Sequence, residues 1–257
     1  MSQRPHHILP PRPSYWEQSR QPLQALIFLL PLILAYEAGL IWIVGLGGPD
    51  VMARAMLERL FYSVGIELSS RRLGITISLL PGLLVAAVLL SWHFARKDPW
   101  RWRPGLYPLM GGESLLLALP LLTLGLALVR DPAANGAMAA ADPETMTWST
   151  KIVLSIGAGL YEELVFRLFA IATIHLLLAD VLGVPDVTAA VAAVVGSAVL
   201  FGLYHFPSVA EFQWSRMIFF SLAGLYFAGI YLLRGFGVAV AVHAFYDIAV
   251  VSLDTIL

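Results

Sequence analysis

Cysteine is absent from the 257-residue sequence, and charged residues are scarce. The lack of cysteine excludes disulfide bonds, cysteine-ligated zinc or iron–sulfur sites and a thiol nucleophile. Charged residues make up 13% of the chain, whereas soluble domains average about 25%. The formal net charge is −1 and no strongly basic block occurs, which argues against nucleic acid as a partner.

Hydrophobic residues, in contrast, are abundant. They make up 59% of the sequence, and the mean hydropathy is +0.78. A water-soluble globule of this size cannot bury that much apolar surface. The composition therefore predicts a polytopic integral membrane protein with no sizeable soluble appendage.

Seven apolar stretches approach the roughly 20 residues needed to cross about 30 Å of hydrocarbon as a helix. They comprise approximately residues 23–46, 74–95, 105–129, 148–179, 187–206, 215–233 and 236–257. The stretches are continuously apolar rather than alternating, which favours helices over a β-barrel. The fourth is too long for one upright helix and is expected to tilt, protrude or break, with Gly157 and Gly159 as weak points.

The remaining segments divide the chain into a short arm and one membrane domain. Residues 1–22 are a polar, proline-rich arm, and residues 23–257 form the domain. Residues 51–68 have an apolar helical face, which predicts an amphipathic surface helix or an eighth, short embedded helix. Arginines in the arm and in the loop 96–104 favour a cytoplasmic N-terminus, although four arginines between residues 54 and 72 oppose it.

Ionisable side chains inside apolar spans are costly and are therefore functional candidates. Most of those noted lie in the C-terminal part, from about residue 148 to residue 257: they are Glu162, Glu163, Arg167, His175, His205, His243, Asp247 and Asp254, with Glu37 in the first span. Three of these are expected to have structural roles. Glu37 is interpreted as a packing or hydrogen-bonding residue, His175 as a hydrogen-bonded core residue and Asp254 as a solvated residue.

The spacing of the fourth-span residues predicts their directions. Glu163 and Arg167 are four apart, so they share a helical face and can form an ion pair. Glu162 is turned about 100° away and can face a cavity. One acid is thus neutralised while its neighbour remains available for chemistry.

The two histidine motifs are also placed by helical geometry. His205 ends an apolar run just before Pro207, which is expected to end or kink the helix. His243 and Asp247 are four apart, so the carboxylate can orient the imidazole or both can face one cavity. A shared cavity would give all these groups polar partners. The predicted fold is an all-α bundle of about seven to eight transmembrane helices around a polar intramembrane cavity.

This set of residues suits hydrolysis of an amide. A glutamate can take a proton from a water that a histidine orients, and a second histidine can donate a hydrogen bond to the oxyanion. The serine motif G-x-S-x-G, the metalloprotease motif H-E-x-x-H and the aspartyl motif G-x-G-D are absent. The remaining choices are a glutamate-activated water, or a divalent metal such as zinc held by Glu162, His205 and His243.

Three motifs follow each other on apolar helices: Glu162-Glu163-x-x-x-Arg167, Phe201-x-x-x-His205 and His243-x-x-x-Asp247. In this order they resemble the motifs of the CPBP family, also called the Abi or CAAX prenyl protease 2-like family of intramembrane endopeptidases. The resemblance implies helices around a polar cavity and cleavage of a membrane-associated peptide or protein, which is prenylated for some members. It implies no cofactor, and the short loops fit a member from a prokaryotic plasma membrane, such as a bacterial inner membrane.

The resemblance also implies a role for each motif. Glu162 would activate the water and His205 would position it. Glu163 and Arg167 would shape the site electrostatically, and His243 with Asp247 would stabilise the oxyanion. Asp247 stands where other members have asparagine. An ionised aspartate cannot donate a hydrogen bond, so Asp247 would orient His243 instead or act in a neutral form.

Three other readings of the same residues remain open. The first is a metal-dependent intramembrane protease. The second is a membrane protein that binds a peptide or confers immunity without catalysis. The third is a proton-coupled transporter, in which the acids and histidines form a relay, although the chain shows no repeated halves with paired broken helices.

Overall fold

The fold is built from helices throughout the described part of the chain. The computed structural model describes residues 14–45, 80–128, 147–206 and 212–256. The helices are α1 (Tyr15–Ser19), α2 (Pro22–Gly45), α3 (Leu80–Arg96), α4 (Leu106–Leu128), α5 (Trp148–Val181), α6 (Asp186–Tyr204), α7 (Trp214–Arg234) and α8 (Phe236–Ile256). Continuous apolar runs explain this outcome, because a helix satisfies all its backbone polar groups within one segment.

Six of these helices are long and apolar enough to cross a membrane, and α3 is a shorter apolar helix. The predicted polytopic helical membrane bundle is therefore confirmed. The helix bounds follow the predicted stretches closely. The segment 51–68, with its predicted amphipathic helix, lies outside the described residues.

Helix α5 is the long fourth stretch, and it does not break where the sequence suggested. It runs for 34 residues, which corresponds to about 51 Å and exceeds the hydrocarbon thickness. Gly157 and Gly159 lie in its regular part, Trp148–Glu163, so the expectation of a weak point there is wrong. Both glycines are buried against neighbouring helices, which hold the backbone regular. The irregularity comes later, as π-helical turns at Leu164–Ala170 and Leu177–Val181.

Helix α8 is the centre of the bundle. It packs against α5, α4, α7 and α2, most extensively against α5. The α5–α8 crossing is close because it uses small residues: a Cβ on Gly159 would lie 2.9 Å from the backbone nitrogen of Ala244. Small residues allow membrane helices to approach in this way. The close approach brings the polar residues of α5 and α8 within contact distance.

A polar clasp ties α1 to the bundle. Arg234, in the last turn of α7, forms an ion pair with Glu113 of α4 and donates a hydrogen bond to Ser19 at 3.0 Å. The hydroxyl of Tyr15 donates to Glu113, and the Arg234 guanidinium lies 3.8 Å from the ring centre of Trp16. Burial, followed by the contact with Glu113, raises the pKa of Tyr15 to about 12. Tyr15 therefore remains a hydrogen-bond donor at neutral pH.

Candidate active site

Three helices bring the six predicted site residues together. Helix α5 carries Glu162, Glu163 and Arg167, His205 caps the end of α6, and α8 carries His243 and Asp247. All six side chains are buried, and the most exposed of them, His205, is only 7% exposed. Burying this many ionisable groups is costly unless they have partners, so their mutual contacts are decisive.

Glu163 is held from two sides. Its Oε2 lies 3.0 Å from Nε of Arg167, which is the pairing that the four-residue spacing predicts. Its Oε1 accepts a hydrogen bond from Nδ1 of His243 at 2.8 Å. The carboxylate therefore links the guanidinium of α5 to the imidazole of α8, and it sets the orientation of the His243 ring.

Glu162 faces the two histidines. Its Oε2 is 3.8 Å from Nε2 of His205 and 3.8 Å from Nε2 of His243. These distances are too long for direct hydrogen bonds, so a water in contact with all three groups would be needed to link them by hydrogen bonds. Among the described residues, neither oxygen of Glu162 has a hydrogen-bond partner. A buried carboxylate without such a partner is a common mark of a functional site.

The tautomer of His205 follows from its backbone contact. Its Nδ1 lies 2.8 Å from the carbonyl oxygen of Phe201. A carbonyl only accepts hydrogen bonds, so Nδ1 carries the proton and Nε2 of the neutral ring is an acceptor. His205 is the cap residue of α6, which ends at Tyr204, close to the predicted break before Pro207. The end of the helix thus fixes which nitrogen points towards Glu162.

Aromatic rings form the apolar wall of the site. The ring of His205 stacks on Phe220 at 3.8 Å between centroids, and that of His243 stacks on Phe227 at 4.4 Å. The Arg167 guanidinium lies 4.6 Å from the ring centre of Phe201. Neither Phe220 nor Phe227 was identified from the sequence. Phenylalanines on an apolar helix carry no signal that separates them from ordinary core residues.

Asp247 lies on the same side of His243 as Glu162. Its Oδ2 is 3.6 Å from Nε2 of His243, which is longer than a hydrogen bond. Within the described residues, this oxygen has no hydrogen-bond partner. The contacts therefore favour Glu163, rather than Asp247, as the carboxylate that orients His243.

The local structure of α5 helps to hold the site. The π-helical stretch Leu164–Ala170 begins directly after Glu163 and contains Arg167. Within this stretch, the carbonyl oxygen of Phe166 accepts a hydrogen bond from the hydroxyl of Ser197 in α6 at 2.6 Å. Single π-helical turns within α-helices occur frequently at functional sites. Here the turn is tied to α6, the helix that His205 caps.

The other ionisable candidates lie apart from this cluster. His175 contacts Asp186 at 3.1 Å and is about one-third exposed, so its interpretation as a core residue is wrong, although it is hydrogen bonded. Glu37 of α2 lies against Gly82 of α3, and in the described region its Oε1 is buried without a hydrogen-bond partner. The side chain of Asp254 is outside the described residues.

One partly buried acid, Glu113, was not identified from the sequence. Glu113 lies within the third apolar stretch and pairs with Arg234. The signal that identified Glu162, an acid inside a membrane span, applies equally to Glu113. Its partner lies at the end of α7, far away in the sequence, so the pair becomes visible only in the fold.

The described residues contain no group of three or more histidine, aspartate and glutamate side chains arranged to hold a metal ion. Glu162, His205 and His243 are the ligands that a metal site would use. They converge, but at distances that also suit a bridging water. Loss of activity on chelation of divalent metal ions would therefore distinguish the metal-dependent alternative from a glutamate-activated water.

The comparison with protein families agrees with the geometry. Residues 144–249 match the family described as type II CAAX prenyl endopeptidase Rce1-like. Over these residues, which are less than half of the chain, the sequence is similar to that family. The matched segment contains all six clustered residues, and the similarity supports a membrane-embedded protease. No curated protein and no solved structure matches the chain.

Proposed function

We propose that the protein is an intramembrane endopeptidase in which Glu162 activates a water to hydrolyse a peptide bond. The observation that carries this proposal is the position of the Glu162 carboxylate, 3.8 Å from Nε2 of both His205 and His243. In this proposal, one water binds against these groups and donates hydrogen bonds to Glu162 and to Nε2 of His205. A general base within reach of a water is the first requirement of hydrolysis without a covalent intermediate.

The reaction proceeds in two steps. Glu162 takes a proton from the water while the water oxygen bonds to the carbonyl carbon of the scissile amide, and the carbonyl electron pair moves to oxygen. Glu162 then gives the proton to the amide nitrogen, the C–N bond breaks, and a carboxylic acid and an amine leave. Nε2 of His205 accepts a hydrogen bond from the water and orients it for attack.

His243 stabilises the oxyanion of the intermediate. In its doubly protonated form Nε2–H donates to the oxygen on which negative charge develops. Glu163 accepts the hydrogen bond from Nδ1–H at 2.8 Å and stabilises the positive ring. A carboxylate supports a catalytic imidazole in the same way in serine protease triads. Arg167 in turn pairs with Glu163 and holds its carboxylate in place.

The substrate class we propose is a peptide or protein held at the membrane, with a prenylated peptide as one case. The burial of the site within spanning helices supports this, because a soluble substrate would not reach it. We further propose a prokaryotic plasma membrane as the location, which the short loops support.

The proposal is tested in cells that carry the wild type, Glu162→Gln or the matched control Glu37→Gln. The control makes the same change in another acid of a spanning helix, away from the site. N- and C-termini of membrane peptides and proteins are measured by mass spectrometry. We expect new termini with the wild type and Glu37→Gln and none with Glu162→Gln, because glutamine keeps the size but removes the base.

Equal cleavage by Glu162→Gln at equal protein levels contradicts the mechanism. Loss of cleavage in purified wild type on chelation, with recovery on adding zinc, favours the metal-dependent alternative. Absence of new termini with a folded wild type favours a binding role. Flux in proteoliposomes that depends on Glu162 favours a transporter.

A further inference from the structure

A cavity of about 350 Å³ lies apart from the six clustered residues and shares none of its lining with them. Two arginines, Arg20 and Arg96, line it together with the aromatic residues Trp92, Tyr231 and Phe236. We propose that this cavity binds the phosphate headgroup of an anionic phospholipid.

The cavity lies at the ends of the spanning helices. It forms where α2 begins, where α3 ends and where α7 passes into α8 at Gly235. Exposed tryptophans surround the same end: Trp16, Trp92, Trp100 and Trp102 are between 41% and 73% exposed. Tryptophan is enriched at the level of the lipid headgroups. The cavity therefore faces the part of the membrane in which phosphates are found.

The charge of the lining suits a phosphate. Arg20 and Arg96 contribute two positive charges and Glu17 contributes one negative charge. Glu17 is already engaged in the capping box of α1, where its side chain accepts a hydrogen bond from the backbone nitrogen of the N-cap residue Ser14 at 2.7 Å. The net positive lining matches the basic pockets between spanning helices that bind anionic headgroups.

Each guanidinium is held in place by one contact. Arg20 donates from Nη2 to the carbonyl oxygen of Leu232 at 3.2 Å, and Nε of Arg96 contacts Asp98 at 2.9 Å. A guanidinium has five N–H donors, and its planar fork matches a phosphate. The contacts orient both side chains and leave further N–H donors on each guanidinium, while Asp98 offsets part of the positive charge of Arg96.

The apolar part of the lining distinguishes a lipid from a free phosphate. Leu89 and Trp92 of α3 and Phe236 of α8 line the cavity beside the arginines. A free phosphate gains nothing from such residues, whereas a lipid places its glycerol and the start of its chains against them. The volume is at the lower end of small-molecule sites. It suits a headgroup, with the chains lying along the exposed side of α3, where Leu83 is 64% exposed.

The test uses the full-length protein in detergent with dioleoyl phosphatidylglycerol or dioleoyl phosphatidylcholine, and native mass spectrometry measures the retained lipid. The site variant is Arg20→Gln with Arg96→Gln. The matched control is Lys97→Gln with Arg101→Gln, which removes the same charge from exposed residues outside the lining. We expect phosphatidylglycerol binding to weaken at least about tenfold in the site variant relative to the control, and phosphatidylcholine binding to stay unchanged.

Equal phosphatidylglycerol binding by both double variants overturns the proposal. Inorganic phosphate and glycerol 3-phosphate are added as competitors to separate the two sources of phosphate. If only other anionic lipids displace phosphatidylglycerol, the bound phosphate belongs to a lipid headgroup. Binding of the soluble phosphates at equal or higher affinity overturns the lipid assignment in favour of a soluble anion.

A second measurement on the wild type does not depend on the folding of any variant. A phosphatidylglycerol with a photoreactive diazirine near the glycerol is cross-linked, and the labelled peptides are identified. We expect labels within residues 89–96 and 231–236, suppressed by excess phosphatidylglycerol but not by phosphatidylcholine. Labels elsewhere, or no selective suppression, overturn the proposal.

Discussion

Glu162 and Glu163 are neighbours in the sequence, yet their surroundings differ completely. Glu163 is paired with Arg167 and hydrogen bonded to His243. Glu162 lies between two imidazoles with no hydrogen-bond partner within the described ranges. The first arrangement stabilises a charge, and the second leaves a base available. This difference is the physical basis for assigning them different roles.

Arg167→Ala is expected to damage folding as well as activity. The change leaves Glu163 buried without its guanidinium, and breaking a buried ion pair costs about 3–5 kcal/mol. Expression and thermal unfolding in detergent are measured beside Arg101→Ala, which removes an exposed arginine. Normal expression and unfolding of Arg167→Ala would show that Glu163 does not need this partner.

Asp247→Asn is expected to retain activity within about tenfold of the wild type, whereas Asp247→Ala removes the polar group beside the proposed oxyanion site and is expected to lose about 100-fold or more. Asparagine has nearly the same size and can donate a hydrogen bond to an oxyanion. The long distance to His243 means that little orientation is lost. The kcat and KM of both variants are compared on one peptide substrate, and a complete loss in Asp247→Asn would show that the carboxylate charge is needed.

At the scale of elements, the close crossing of α5 and α8 decides whether the site forms. Glu163 reaches His243 only because Gly159 brings the two backbones together. The position of His205 depends similarly on how α6 packs against α7. At that crossing Gly224 of α7 lies directly against Ala198 of α6, and a Cβ on Gly224 would be 2.9 Å from Cα of Ala198. Small residues at two crossings thus set the distances of the polar groups.

Gly159→Ala is expected to impair both stability and activity. The new Cβ would lie 2.9 Å from the Ala244 backbone nitrogen, and a backbone atom cannot move aside like a side chain. Overpacking of this kind costs about 1–3 kcal/mol. The control is Gly229→Ala on α7, where nothing lies within 4 Å of the new Cβ. Thermal unfolding and cleavage are measured for both, and equal behaviour would contradict the argument.

At the scale of the whole molecule, two polar clusters hold the bundle together. The proposed catalytic cluster joins α5, α6 and α8, and the clasp of Arg234 and Glu113 joins α1, α4 and α7. The clasp contains none of the six catalytic candidates. Stability and catalysis should therefore be separable by mutation.

Glu113→Gln and Arg234→Gln are each expected to destabilise the protein by about 1–3 kcal/mol, because each leaves a buried or partly buried charged group without its partner. The double variant should lose less than the sum of the two. Thermal unfolding of the three variants measures this coupling. The folded fraction of each variant should cleave substrate at nearly the wild-type rate. If the losses of stability of the two single variants add up to that of the double variant, Glu113 and Arg234 do not interact.

The sequence alone determined the membrane class, the approximate helix bounds, the six candidate residues and the pairing of Glu163 with Arg167. These features depend on local hydropathy and on the helical period, both of which are read within a few turns. Only the tertiary structure decided that Glu163 orients His243, that Glu162 faces both histidines, and that Phe220, Phe227 and Glu113 complete the polar clusters. These contacts join residues distant in sequence, and helix packing rather than local periodicity determines which of them meet.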